Sequence, residues 1–254
     1  MNLPFLQEVT KQFEQELQES QKGKRTSLSW LQSTLPKKPL IKNDDLFQVI
    51  TIGGTIFRNA LLQKEHDQLT IVSLSEGNVP LLSSKEVFFD FLLSQLHNEI
   101  TYLAMNFGFP LTPTEHNGLI DGVLLRPTKE HAFRGLVGEI VGKSFAAFVK
   151  EKTARNIFVS LTNDTICLLL SGLTQYHAKE LAAAIVGTGF NMAFFPDEQT
   201  LINLEAGNFN KFEQTLTGKH VDSNSVQKNT QLFEKEISGG FLYQHFNFLV
   251  KEKN

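Results

Sequence analysis

Among its 254 residues the chain has a single cysteine, Cys167. One thiol closes no disulfide within the chain and builds no cysteine-based metal site, so a disulfide scaffold is excluded and a reducing cytoplasm is the expected compartment. Excess charge is also missing. Against 24 Lys and Arg stand 27 Asp and Glu, a net −3, which supplies no field for nucleic acid or an anionic membrane. Long apolar runs are lacking, because the most apolar windows are cut by Asn163-Asp164 or by glycines, so no membrane span is expected. The opening Met1-Asn2-Leu3-Pro4-Phe5 lacks the basic-then-apolar order of a signal peptide. The seven histidines show no metal-ligand spacing, and no low-complexity tract or short repeat occurs. Trp (1) and Tyr (3) are scarce, whereas Phe is heavily used at 22 residues, which implies a well-filled core. The apolar content of 41% fits a folded globular chain.

The patterning alternates between helix and strand periods, which predicts an α/β or α+β protein. Phe5, Leu6, Val9, Phe13 and Leu17 predict an amphipathic helix over 5–21, ended by Gly23. Residues 24–44 are loop-like, rich in Ser and Pro. Residues 47–52 and 56–58 predict strands around the turn Gly53-Gly54, with further strands at 60–64 and 68–74. A helix is predicted for 84–105 and another for 135–152. Residues 106–112 read as a strand running into a proline-broken loop, and 119–125 as a short helix or strand. Strands are predicted at 182–186 and 190–195 around Gly187-Thr188-Gly189, and at 201–205, with a final helix over 229–250.

Within this pattern Asn156 to Thr165 is unusual. A β-branched apolar run stops at Asn163-Asp164-Thr165, and Ile166-Cys167-Leu168-Leu169-Leu170 follows at once. An ionised carboxylate between two apolar segments is costly unless it is paired or used. Asp164 reads either as the cap of a helix starting at Thr165 or as a carboxylate at the carboxyl end of a sheet strand, where open α/β sheets bind ligands. Paired glycines let a backbone approach a ligand closely and turn amides toward phosphate oxygens. Two such turns flanking a buried-strand Asp form a more specific signal than either alone.

The motifs together are similar to those of hexokinases, within the actin-like ATPase superfamily. Ile52-Gly53-Gly54-Thr55-Ile56-Phe57-Arg58 resembles the family's first phosphate loop, and Phe107-Gly108-Phe109-Pro110 its Phe-Ser-Phe-Pro sugar loop. Thr128-Lys129 matches the sugar-binding Thr-Lys pair, and Asn163-Asp164-Thr165 the Asn-Asp-Thr motif. Gly187-Thr188-Gly189-Phe190-Asn191 matches the second phosphate loop and the Asn after it. Glu205-Ala206-Gly207-Asn208-Phe209 is similar to Glu-Trp-Gly-Ala-Phe, and Gln231-Leu232-Phe233-Glu234-Lys235 with Ser238-Gly239 to the helix supplying the last sugar ligands.

The resemblance implies two actin-like α/β lobes with a sugar cleft, and transfer of the ATP γ-phosphoryl group to the 6-hydroxyl of glucose or a similar hexose. Residues 45–162 would form the small lobe, with 1–44 and 163–254 belonging to the large one. Asp164 would be the base that accepts the hydroxyl proton, with Lys129 beside it in the catalytic set. Thr112, Thr128, Lys129, Asn163, Asp164, Asn191, Glu205, Gln231 and Glu234 would bind the sugar, the Asn and Glu residues as acceptors and Thr128 and Lys129 as donors. Gly53, Gly54, Thr55, Arg58, Gly187, Thr188 and Gly189 would line ATP, and Mg2+ would arrive with the nucleotide.

The chain departs from the family pattern in two ways. The phosphate loop's leading Asp is replaced by Thr51 and its Asn by Ile56. Soon after the Glu234 helix the chain stops at Asn254, so the resemblance implies the amino-terminal portion of a catalytic unit with an incomplete large lobe. A sugar-binding or regulatory protein with impaired turnover, an inactive fragment, and a docking module are the alternatives.

Overall fold

A computed structural model describes residues 3–36, 40–66, 68–126 and 131–252. In chain order the elements are helix α1 (Leu3–Gln21), strands β1 (Leu31–Thr34), β2 (Leu46–Ile52), β3 (Ile56–Glu65) and β4 (Gln68–Asn78), helix α2 (Lys85–Gln95), strands β5 (Tyr102–Phe107), β6 (Leu111–His116) and β7 (Leu119–Leu124), helix α3 (Val141–Thr153), strand β8 (Phe158–Thr162), helix α4 (Asp164–Gly172), strands β9 (Ala182–Val186), β10 (Phe190–Phe194) and β11 (Thr200–Asn203), and helices α5 (Leu216–Asn224), α6 (Leu232–Ile237) and α7 (Leu242–Glu252). The chain divides into a central unit, residues 33–167, and a terminal unit formed by 1–32 with 168–254. Motif-based boundaries fall instead at 44/45 and 162/163.

In the central unit the strand order is β4-β3-β2-β5-β8. β3 runs antiparallel to β2 and β4, while β5 and β8 run parallel to β2 and to each other. Alternation places Ile50 and Ile52 of β2, Leu103, Met105 and Phe107 of β5, and Val159 and Leu161 of β8 in one apolar cluster. Phe88, Phe89 and Leu92 of α2 and Val141, Phe145 and Val149 of α3 complete it. Phe89 lies 5.4 Å from both Phe145 and Phe148, ring centre to ring centre. Each fully buried Phe contributes roughly 1.5–3 kcal/mol.

In the terminal unit the sheet order is β1-β11-β10-β9. Leu28, Ile202, Leu204, Ala206 and Phe209 form its core, with Phe13 of α1 and Phe233 of α6 packed against it. Phe209 stands 5.1 Å from Phe13 and 5.6 Å from Phe233, edge to face. Glu16 anchors α1: its buried carboxylate accepts from the Ser27 amide at 3.0 Å and from the Ser27 hydroxyl.

Several predicted elements need correction. The 24–44 loop contains β1, and the predicted strand 60–64 is part of the continuous β3. The predicted helix 84–105 ends at Gln95. Residues 102–107 are instead a central strand, whose period-two burial (Leu103, Met105, Phe107) is hidden in a nearly continuous apolar run. Residues 119–124 are strand. α3 begins only at Val141, because Gly135 and Gly138 adopt φ of +81° and +86° and keep the chain turning before it. β11 ends at Asn203, short of Glu205. The predicted helix 229–250 is two helices, α6 and α7, separated by Ser238-Gly239-Gly240. α5 carries little apolar periodicity and was not expected.

Candidate active site

In the central unit the parallel register pairs Ile52 with Phe107 and Asn106 with Thr162. The carboxyl ends of β2, β5 and β8 therefore lie side by side. Gly53-Gly54, Gly108-Phe109-Pro110 and Asn163-Asp164 all emerge from one edge of one sheet, and Gly108 N–H donates to Ile52 O at 2.9 Å. β8 is the edge strand of that sheet, not one buried on both faces. Asn163 rather than Asp164 caps α4: Asn163 Oδ1 accepts from Ile166 N at 3.0 Å. Asp164 is the first helical residue, exposed, with Oδ1 accepting from Thr165 N at 2.8 Å. A carboxylate there is favoured by the positive end of the helix.

The turn Gly53-Gly54-Thr55 is closed by Gly53 N–H to Ile56 O at 3.0 Å. Its carbonyls are tied inward. Val79 N–H donates to Thr55 O at 2.8 Å, and His131 Nε2 lies 2.8 Å from Gly54 O. Leu82 N–H donates to His131 Nδ1 at 3.0 Å, so the ring hydrogen is on Nε2 and points at Gly54 O. Every described peptide is trans, and in a trans peptide the N–H points opposite the carbonyl before it. The inward carbonyls of Gly54 and Thr55 thus direct the Thr55 and Ile56 amides the other way. Arg58 is exposed and paired with Glu76 of β4 at 2.6 Å.

The terminal unit treats Gly187-Thr188-Gly189 alike. Gly187 O accepts from Gly239 N at 2.7 Å and Thr188 O from Gly240 N at 3.2 Å. The Thr188 and Gly189 amides consequently face away from residues 239–240. A Cβ on Gly240 would lie 2.5 Å from Thr188 O, so the close approach requires glycine.

The unit's polar side chains form a connected set. Asn191 Oδ1 accepts from Met192 N at 2.7 Å and Ala206 N at 3.2 Å, and its Nδ2 donates to Asn203 Oδ1 at 2.8 Å. Asn203 Nδ2 donates to Glu205 Oε1 at 2.8 Å. Glu234 Oε2 accepts from Phe190 N at 2.8 Å, and Gln231 Nε2 donates to Glu234 Oε1 at 3.1 Å. Glu205 and Gln231 both adopt left-handed backbone, φ +49° and +51°, a strain that persists only where surrounding contacts impose it. Burial raises the Glu234 pKa above the ordinary carboxylate range; the Phe190 amide opposes this and the Glu205 charge adds to it. Lys235, next to Glu234 in the chain, is buried. It is 2% exposed and paired with Asp222 at 2.6 Å.

The backbone bonds fix the amide polarity of Asn163 and Asn191. The Asn191 oxygen already holds two backbone amides, so that side chain offers a ligand an N–H rather than the expected acceptor, whereas the Asn163 oxygen holds one and keeps a second lone pair. Thr112 is an exposed residue of β6, paired with Val123. Thr128 and Lys129 lie outside the described residues. Asn203 and His131 escaped sequence reasoning. A cavity of about 290 Å3 lined by Gln48, Asn59, Ser73, Gln95, His97 and Asn98 draws on the opening half of β2, away from Gly53. Gln48 and Asn59 bond each other and the Gln95 carbonyl there, a structural arrangement. Burial, and then the Asp164 charge, push the Cys167 thiol up to about 12. Among the described residues no cluster of His, Cys, Asp or Glu could hold a metal ion, and no helix is long and apolar enough to cross a membrane.

Parallel strands ending in glycine turns and an Asn-Asp pair, beside a second unit with its own glycine turn, fit the actin-like ATPase fold. The chain belongs to the hexokinase family: one hexokinase family model matches residues 2–174 and a second matches 181–249. Hexokinase-1 of Nicotiana tabacum is 28% identical over 233 residues, covering 78% of this chain and 46% of the tobacco protein. Hexokinase-1 of Spinacia oleracea is 27% identical over 252 residues, covering 85% and 50%. The chain thus spans about half the length of the curated relatives it matches. A glucose-complexed hexokinase from Schistosoma mansoni shares the fold, with a TM-score of 0.74 at 22% identity over 100% of this chain and 64% of its own.

Proposed function

We propose that the chain serves ATP-dependent phosphorylation of a hexose at its 6-hydroxyl. The observation that carries this reading is the common edge of β2, β5 and β8, where Asp164 leaves the same end of the sheet as the first glycine turn, with β5 between them. Asp164, exposed and with Oδ1 held by the Thr165 amide, accepts the proton of the attacking hydroxyl. Phosphoryl transfer needs mainly positioning and charge stabilisation. The outward amides of Thr55, Thr188 and Gly189 suit phosphate oxygens. Glu205 and Glu234 accept sugar hydroxyls, Asn163 and Asn191 donate to them, and Gln231 steadies Glu234. Thr112, Thr128 and Lys129 complete the sugar set, Lys129 also belongs to the catalytic set, and Arg58 reaches ATP only by leaving Glu76. Mg2+ enters as part of the nucleotide substrate. The lone, half-buried thiol accords with work in the cytoplasm.

Thr51 in place of an acidic residue and the apolar Ile56 favour one second reading, hexose binding without turnover. Coupled detection of glucose 6-phosphate from purified protein with glucose and MgATP separates the two. Turnover abolished by Asp164→Ala supports the kinase reading, and turnover that survives Asp164→Ala removes that residue as base. No turnover, with a glucose-dependent rise in Tm, supports binding alone.

A further inference from the structure

Asn203 is 3% exposed and sits between two residues of the proposed sugar set. Its Oδ1 takes an N–H of Asn191 and its Nδ2 gives one to Glu205, both at 2.8 Å. Only an amide does both at once. A carboxylate has no hydrogen for Glu205, and a hydroxyl is too short to span both. Asn191 Oδ1 is held by two backbone amides, so the side chain cannot turn over to satisfy a different neighbour. The chain of bonds therefore has one direction, from Asn191 through Asn203 to Glu205.

We propose that Asn203 is the positioning residue that fixes the hexose-binding polarity of the terminal unit, turning the remaining Asn191 N–H outward as a donor and holding Glu205 as an acceptor in its left-handed backbone conformation. The inference rests on the hexose reading above. Asn203 does not touch the reacting atoms; it acts through Asn191 and Glu205.

Two variants test it, with glucose as probe and the glucose-dependent rise in Tm as readout. Asn203→Leu keeps the branched shape with the same number of side-chain heavy atoms and removes both bonds. The expected result is a folded protein whose glucose affinity falls at least about tenfold. Asn203→Asp places an oxygen against Glu205 Oε1 where the amide nitrogen stood, so the two carboxyls must share a proton. Glu234 is the other acid acting on this pair, through its interaction with Glu205, and it adds to their repulsion. The Asp variant should respond to glucose at about pH 5.5 and lose the response by about pH 8. The wild-type response should hold or grow over that range, because sugar acceptance needs ionised carboxylates. Side chains that only fill space would not reverse the sign of a pH profile. The proposal is overturned if the Leu variant binds glucose within about twofold of wild type, or if the Asp variant follows the wild-type profile. If the Leu variant does not fold, the Asp profile decides alone. A wild-type protein with no glucose response at any pH sinks the hexose reading itself, and the positioning role with it.

Discussion

The two units hold their glycine turns alike by main-chain bonds, but they differ in what else builds their polar surfaces. At the sheet edge of the central unit the arrangement is almost entirely main chain: strand register sets the three carboxyl ends, and backbone carbonyls are tied to Val79 N–H and the His131 ring. In the terminal unit it is a relay of side chains, Asn191 to Asn203 to Glu205 and Gln231 to Glu234. A main-chain scaffold tolerates a change of side chain; a relay does not. Thr51 and Ile56 lie on the main-chain side, where β2–β3 pairing of Thr51 with Arg58 and Ile52 with Phe57 proceeds whatever side chains they carry.

The comparison predicts unequal sensitivity. The largest effect should come from Lys235→Ala in the terminal unit. It leaves the Asp222 carboxylate facing a vacated site and removes the bond to Gln227 O, at a cost of about 3–5 kcal/mol in denaturant unfolding. A loss below about 1 kcal/mol would show that the side-chain framework is softer than its geometry.

Asp121→Asn in the central unit should be intermediate. The Asp121 carboxylate is 1% exposed and accepts from Gly122 N, Gly142 N and Lys143 N, fastening the start of α3. An amide turns an NH2 toward Lys143 N–H, which costs about 1–3 kcal/mol. Burial raises the Asp121 pKa above its ordinary 3.8, against the pull of the three amides. The native state therefore holds this proton more tightly than the unfolded chain. The associated stability is full below the unfolded value and is lost as pH rises through the folded one. The gap between wild type and Asp121→Asn should narrow with rising pH across that window, and a gap that widens would refute the assignment.

The smallest effect should be that of Arg58→Ala. The pair with Glu76 is exposed on both sides, 64% and 52%, so stability should change by about 0.5 kcal/mol or less. A larger change would show that side chains matter on the main-chain side as well.

Legibility in the sequence follows the same division. Motifs contiguous in the chain located Asp164, Asn191, Glu205 and both glycine turns without any structure. What lay hidden depends on register. Asn203, between Ile202 and Leu204, reads as one polar position in a short strand; its meaning arises only because β10 and β11 pair Ala193 with Asn203 and bring Asn191 within reach. His131 likewise acquires its role from Gly54 and Leu82, distant in sequence. β5 was obscured because a strand in the middle of a sheet is apolar enough to extend a helical pattern. The backbone's demand for the Asn191 oxygen likewise cannot be read from residue type.

Helix α6 spans only Leu232–Ile237, yet its consecutive residues Glu234 and Lys235 serve opposite sides, one bonded to Phe190 N and the other to Asp222. A slip of one residue would rotate the helix by about 100° and break both attachments together. Insertions or deletions within the helix are therefore barred as single steps, and the preceding segment is bound to the Lys235–Asp222 pair, because Gln227 O accepts from Lys235 and Asn229 N–H donates to Asp222. Evolution can re-index neither the helix nor its approach one residue at a time.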